Sequence, residues 1–413
     1  MTVFVHRMGR RVRGLKTLIE LYDNEAIENI LAPIAIHPER VIYLWDESVN
    51  GMVDGNREGG IRRFLNGQKP VSSAIFYEIE SAELADIRKE LEAILGRYED
   101  CVIDFTGGSG ILFFAVSMYA SEHHVPSFFI DFSSKKMVNL FGCEELAREF
   151  KMPPLTSKEL FRITGGSVYR YGNFEDKWKE ETFQQEVKTV WELYFQSPDL
   201  WNAQMEYIEY IDGHYGNPSS SLAITAPCMI NAYKKMYRNN ETLLDEWRKI
   251  GILQYTRTQQ NMLHILFKDE SIKRCVTNMK SSLLLYLYST ACSANVFDEV
   301  RISLMVDSDE ISRQYHNAAS KIDLLLMKDI VPVFVKCTVN APTRQDLEGL
   351  YMQARKFGGR LSKMVIVTLK DVRYAHPATA ESARSLGIEI LDRFDHPQRN
   401  LLKELCWIAS QNG

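Results

Sequence analysis

The sequence predicts an α/β protein: a doubly wound, mostly parallel sheet, then a helical linker, then a second α/β layer. Three observations carry this. Short apolar, β-prone runs alternate with helix-period segments over the first 150 residues, the middle is aromatic-rich and looser, and strands return after residue 300. With 413 residues, a prior of roughly 150 per domain gives two or three domains. Hydrophobic residues at 45% and charged residues at 25% supply enough apolar surface for several cores, which excludes a disordered or fibrous chain.

The elements follow in order. Residues 15–22 (LKTLIELY) form a strand, Asp23 and Asn24 a polar turn, and EAIENILAPIAI a helix, because Ala26, Ile27, Ile30, Leu31 and Ile34 recur at helical spacing. Strands follow at 41–45 (VIYLW) and 75–80 (IFYEIE), then a helix from Glu83 to Tyr98. A further strand at 101–105 (CVIDF) leads to an apolar helix from Ile111 and a strand at 127–132 (SFFIDF). Residues 1–150 thus make one domain, and 151–272 a helical linker with one aromatic helix from Asp176 to Ile211. GNPSSS at 216–221 marks a turn, and NNETLLDEWRKIGIL followed by the hairpin pattern LQYTRTQQNMLHILF resembles a winged-helix unit. Residues 273–413 form the third domain: a helix from Met279 to Thr290, strands at 300–306, 322–327 and 331–339, a helix from Thr343 to Phe357 closed by Gly358 and Gly359, and a strand at 363–369.

Charge and cysteines narrow the setting. A net charge of −5 argues against a protein that coats nucleic acid over its whole surface. The stretch 311–375 nevertheless carries eleven Lys and Arg against five Asp and Glu, a basic region able to meet phosphates. Arg7, Arg10, Arg11, Arg13 and Lys16 form a basic arm with no apolar signal run behind it. The two longest uncharged apolar-rich stretches, 105–121 and 281–297, are interrupted and short for a membrane span, so no membrane association is expected. Seven cysteines without C-x-x-C spacing predict neither a zinc site nor a disulfide framework, and a reducing cytoplasm fits.

The most informative local sequence is FTGGSG at 105–110, where a strand ends and an apolar helix begins. Glycines there let backbone N–H groups approach a ligand, and the helix N-terminus favours negative charge, so a phosphate-bearing ligand suits Thr106, Gly107, Gly108 and Ser109. The spacing is neither G-x-G-x-x-G nor a P-loop, which removes support for hydride transfer and nucleotide hydrolysis. Asp23, Asn24 and Asn29, in the turn and helix after the first strand, are expected to share the same sheet edge.

On IELYDNEAIENILAPIAIHPERVIYLW, VIDFTGGSGILFFAVSMYASE and the strand SFFID, the chain resembles the CRISPR-associated Rossmann-fold (CARF) sensors of type III CRISPR systems. The resemblance implies a homodimer binding cyclic oligoadenylate, with tetra-adenylate favoured, in antiviral defence. KIDLLLMKDIVPVFVKCTVN with TRQDLEGLYMQARKFGGRLSKMVIVTL is similar to the restriction-endonuclease-like domain of the same effectors. There the fold needs carboxylates converging on Mg²⁺ or Mn²⁺ and a lysine. Matched residue by residue, the resemblance puts Lys321 at the first Glu, Asp323 at the Asp, Lys336 at the second Glu and Thr338 at the Lys, with Leu285 near a helical Glu. One carboxylate survives, so a degenerate catalytic site, no bound metal and no cofactor are expected, Mg²⁺ or Mn²⁺ entering only if the nuclease is active. All four side chains are expected on one face of two paired strands. Two other readings stay open: an active nuclease with migrated carboxylates, and a ring nuclease in which Thr106, Ser109 and backbone amides help the pocket cleave its own ligand.

Several conspicuous residues receive plainer readings. Asp307, Asp309, Glu310 and Asp329 are read as solvated loop acids, His316 and His376 as surface or capping residues, and His123 and His124 as a helix-end feature. Trp178, Trp191 and Trp201 are read as core rather than base-stacking residues.

Overall fold

The computed structural model describes residues 16–46, 55–67, 71, 73–80, 83–132, 134–146, 154–170, 174–217, 220–307, 320–392 and 400–410. Asp309, Glu310, His316, Arg7, Arg10, Arg11 and Arg13 lie outside these residues.

The first sheet is built as the alternation demands. Strands β1 (Thr17–Leu21), β2 (Arg40–Asp46), β3 (Ser73–Ile79), β4 (Cys101–Asp104) and β5 (Ser127–Asp131) run parallel in the order β3-β2-β1-β4-β5. β6 (Lys136–Phe141), which the sequence does not announce, closes one edge antiparallel to β5. Helices α1 (Glu28–Ile36) and α2 (Gly55–Asn66) cover one face, where Ile30, Leu31, Ile61 and Leu65 pack on Leu18 and Val41. Helices α3 (Leu84–Leu95) and α4 (Gly110–His123) cover the other, packing Ile87, Leu91, Leu112 and Val116 on Ile19, Ile42 and Ile103. Burial on both faces explains why β1 reads as a nearly unbroken apolar run. The strand order reverses between β1 and β4, so the crevice a doubly wound sheet offers to ligands opens there.

The chain then enters a second sheet before reaching the helical linker. Helix α5 (Ser157–Ile163), with a Thr156–Glu159 capping box, leads to β7 (Ser167–Arg170), the edge strand of that sheet. Residues assigned by sequence to the linker therefore belong structurally to the second sheet. Its order runs Ile388–Asp392, Lys363–Thr368, Val331–Thr338, Ser320–Lys328, Glu299–Asp307, β7. Helix Met279–Ala294 packs on one face and helix Arg344–Gly358 on the other. Through Leu160, Phe161 and Ile163 of α5, the core beneath α1 and α2 is continuous with the core under helix Arg344–Gly358.

Between them lies the aromatic unit. The single helix expected over 176–211 is in fact two long helices, Glu181–Gln196 and Pro198–Tyr215, because Pro198 has no N–H to extend the first and instead starts the second. Trp191, Trp201 and Trp247 are buried together, and Trp201 meets Trp247 edge-on at 5.2 Å. Helix Glu241–Lys249 precedes the hairpin Leu253–Arg257 / Met262–Phe267, as the pattern predicts. A second hairpin, Met229–Ala232 / Lys235–Arg238, escapes the sequence because its turn residues, Tyr233 and Lys234, take φ of 50° and 61° without a Gly or Asn to signal them. No helix among the described residues is long and apolar enough to cross a membrane.

One contact joins the two sheets closely enough to test. A Cβ added to Gly60 of α2 would lie 1.9 Å from the Arg162 carbonyl oxygen of α5, so only glycine allows these helices their approach. Gly60→Ala is expected to destabilise the protein by about 1–3 kcal/mol, as overpacking does. Thermal unfolding checks this: the midpoint falls by several degrees, whereas Gly110→Ala, at a position open on its Cβ side, changes it little.

Candidate ligand site and the Asp323 site

The two turns singled out by sequence meet at the switch point. The Asp23 carboxylate accepts a hydrogen bond from the Gly108 backbone N–H at 2.9 Å and, through its other oxygen, from Glu25 N–H at 2.9 Å. Gly108 has φ +108°, and a Cβ there would lie 2.5 Å from Leu21 Cβ, so no other residue suits this turn. A Cβ on Gly107 would press on Asp23 Cβ at 2.8 Å. Asn24 is exposed on the rim. Asn29 is not: it is buried and spent on its own turn, accepting from Asp23 N–H and donating to the Asp23 carbonyl, both at 2.8 Å. It shapes the site from beneath instead of facing a ligand.

Carboxylates hold the other turn as well. Thr106 donates its backbone N–H to Asp104 Oδ1 at 2.9 Å, and its hydroxyl oxygen accepts from Ile130 N–H at 2.9 Å. Ser109 caps α4 by accepting from Leu112 N–H at 3.3 Å and donates its hydroxyl proton to Asp46. Glu20 and Asp104 are register partners on β1 and β4, both buried, and each has one carboxyl oxygen without a hydrogen-bond partner. Burial pushes Asp104 up to about 7, partly offset by its bonds from Thr106; burial and then the neighbouring Asp104 raise Glu20 well above the usual carboxylate range. A protonated Glu20 donating to Asp104 satisfies this geometry. Sequence reading passed over Glu20, Asp46 and Asp104, although a lone acid within an apolar strand was the available signal.

In the second sheet Asp323 does not await a metal. Its carboxylate accepts from Cys337 N–H at 3.1 Å and pairs with Lys280 at 3.1 Å, itself being 7% exposed. The expectation that Lys321, Asp323, Lys336 and Thr338 share one face fails. Lys280 belongs to helix Met279–Ala294, whereas Lys336 pairs at 3.1 Å with Asp346 of helix Arg344–Gly358, on the opposite face. Leu324 packs in one core, but Ile322 and Leu325 both pack in the other, so side-chain alternation breaks next to Asp323. The neighbouring strand carries Ser303 at φ 54° between the register pairs Ile302–Leu324 and Leu304–Ile322. The side chains sharing the Asp323 face are Val335 and Cys337, both buried and neither a hard-metal ligand. Lys321 is exposed, Thr338 Oγ1 is buried without a partner, and Leu285 lies in the core rather than at the site. No group of three or more metal-ligating side chains occurs among the described residues.

The plainer readings can be placed too. Trp178, Trp191 and Trp201 are core residues, and His123 and His124 end α4. Asp307 is buried rather than solvated, and Asp329 makes the turn between paired strands at φ 51°. Within the basic stretch, several cations face acids from elsewhere: Lys328 pairs with Asp298, Arg360 with Glu28 and Arg373 with Asp392.

No protein-family model matches this sequence, and no curated protein sequence matches it. Solved structures do. Protein VC1899 from Vibrio cholerae superposes with a TM-score of 0.73 at 14% identity, covering 97% of this chain and 100% of that one. Can2 from Sulfobacillus thermosulfidooxidans, in complex with cyclic tetra-adenylate, gives a TM-score of 0.67 at 16% identity, covering 96% of this chain and 98% of Can2. The chain shares its fold with VC1899 and Can2 over nearly its whole length. Within this fold the two turns lie side by side, since β1 and β4 are adjacent at the switch point.

Two outcomes follow. Asp104 has a folded-state value of about 7 against an ordinary 3.8, so the folded chain holds the extra proton between them and stability falls as pH rises through that window. Asp104→Asn should narrow the gap between urea midpoints at about pH 4 and pH 7. At Asp323, a divalent ion would meet Lys280 at a repulsion of roughly 4 kcal/mol per unit of its charge, taking 4 Å and an effective dielectric of 20. Titration calorimetry is expected to show no Mn²⁺ binding at this site in the natural protein, and at least tenfold tighter binding in Lys280→Glu.

Proposed function

We propose that this protein is a cytoplasmic, homodimeric sensor of cyclic oligoadenylate, with tetra-adenylate the favoured ring, in type III CRISPR antiviral defence. The observation that carries the proposal is the meeting of the Asp23–Asn24 and Thr106–Ser109 turns at the switch point, where the Gly108 N–H donates to the Asp23 carboxylate. A two-fold axis beside this crevice would present both turns twice to a symmetric ring. The start of α4 supports such an axis: Ile111, Phe113 and Phe114 are 41%, 42% and 56% exposed, a poor state for apolar side chains unless a second copy covers them. The seven free cysteines suit a reducing compartment.

In this reading the linker contains a winged-helix unit, and the second sheet is a nuclease-like domain whose metal site has been lost. The Lys280–Asp323 pair and the apolar Val335 and Cys337 support that loss. The domain then acts by binding, either a partner or nucleic acid met through exposed cations of 311–375 such as Lys321. The Ser109–Asp46 contact favours a second reading, a ring nuclease. There a ribose 2′-hydroxyl gives its proton to water as its oxygen attacks the adjacent phosphorus, the P–O5′ bond breaks with the 5′-oxygen taking a proton from water, and the ring opens to a 2′,3′-cyclic phosphate, with Ser109 positioning the phosphate.

Calorimetry with each ring size tests the proposal. One ring is expected to bind with a stoichiometry of one per two chains, and Asn24→Glu to weaken it at least tenfold by placing a carboxylate on the rim. Failure of every ring to bind would overturn the reading. Chromatography of the recovered ligand separates the alternatives: an intact ring supports the sensor, a linear product the ring nuclease.

A further inference from the structure

The turn that carries Asp23 and Asn24 is held from outside its own sheet. Arg360, just beyond helix Arg344–Gly358, donates through one guanidinium nitrogen to both oxygens of Glu28 at 2.7 Å. Its backbone N–H donates to the Glu25 carboxylate at 2.7 Å. Glu28 is 3% exposed and Arg360 61%, so the pair lies at the surface on its cationic side and is buried on its acidic side. The approach is also built into the backbone. Gly359 has φ +59°, a conformation that side chains rarely adopt, and a Cβ there would lie 1.7 Å from Glu25 Oε2, so a larger residue would strain the backbone and push the carboxylate aside. The Gly358–Gly359 pair thus ends a helix and also receives the first domain's acidic turn.

These bonds form one chain of contacts: Gly108 N–H to Asp23, Asp23 to Glu25 N–H, Glu25 and Glu28 to Arg360, and Arg360 to the strand Lys363–Thr368 three residues on. An incoming phosphate and the Asp23 carboxylate are both anions and compete for the single Gly108 N–H. Displacing Asp23 also frees Glu25 N–H and unsettles the turn on which Glu25 and Glu28 sit. We infer that Arg360 is a positioning residue for the ligand turn: it holds the turn closed through Glu25 and Glu28, and the ligand's displacement of Asp23 releases it, coupling the crevice to the second sheet. The inference rests on the ligand reading above. It adds the residue through which that reading reaches the other domain.

Hydrogen exchange on the full chain tests this, with and without cyclic tetra-adenylate, in the natural protein, Arg360→Gln, Arg360→Lys and Glu28→Gln. Burial already lifts Glu28 to about 7 with Arg360 present, so it takes up a proton when the cation goes and Arg360→Gln is expected to fold. Without ligand, amides 23–30 should exchange at least tenfold faster in Arg360→Gln and Glu28→Gln, and by less in Arg360→Lys, which keeps the charge. With ligand, amides 359–368 should change their exchange in the natural protein but not in Arg360→Gln, whose affinity should rise by about five- to a hundredfold, the range of a coupling now removed. Unchanged exchange at 23–30, a ligand response at 359–368 that survives Arg360→Gln, or an affinity that falls in that variant would each overturn the inference. If rings bind the natural protein while 359–368 stay silent, this inference alone fails; if none binds, the ligand reading fails and takes it along.

Discussion

The hydrogen bond from the Gly108 N–H to the Asp23 carboxylate is the contact on which the rest of the candidate ligand site depends. It joins two turns 85 residues apart in sequence, and it is made where a parallel sheet exposes its strand ends. A backbone donor at such a place favours an anion. Here the chain supplies its own: Asp23 at Gly108, Asp104 at Thr106 and Asp46 at Ser109. The anion recognition proposed for this crevice would therefore be an exchange, in which a ligand displaces or outbids a side chain already in place.

Acids out of water recur in both halves of the protein, and each is neutralised differently. Among the described residues no cation acts on Glu20 or Asp104, and burial drives them toward sharing a proton beneath the Thr106 turn. Asp323 has Lys280 as an ion-pair partner and one backbone donor, the Cys337 N–H. Glu28 lies between these cases, with Arg360 drawing its carboxyl down and burial pushing it up more strongly. The first arrangement suits a rigid floor, the second closes a site that a divalent ion would otherwise need, and the third forms a contact that can be made and broken near neutral pH.

Local pattern was enough to place much of the architecture. The strands at 41–45 and 101–105, the hairpin at 253–267 and the helix ending at Gly358 all follow from periodicity and punctuation, because each element buries one continuous face. Elements whose cues are not local were invisible. β6 and β7 are sheet edges, stabilised by a partner strand more than by their own residues, and the turn at Tyr233–Lys234 has no glycine. The break at Pro198 was legible and stood in plain sight, as proline lacks the N–H a continuing helix needs.

For function, the sequence by itself determined which segments reach the crevice: a polar turn after the first strand and a glycine turn after the fourth. Glycine tolerance and strand-end position are local properties, so Asp23, Thr106, Gly107, Gly108 and Ser109 could be named before any coordinates. It also determined that Asp323 lacks acidic company. Only the tertiary structure decided which side chains face each other. Strand alternation gave the wrong face for Lys336, since alternation breaks beside Asp323, opposite Ser303 with its positive φ in the neighbouring strand. The roles of Lys280, Asp46, Glu25 and Arg360 were likewise hidden, because an ion pair spanning 43 residues, or 332, leaves no trace in spacing and exists only once the sheets are packed.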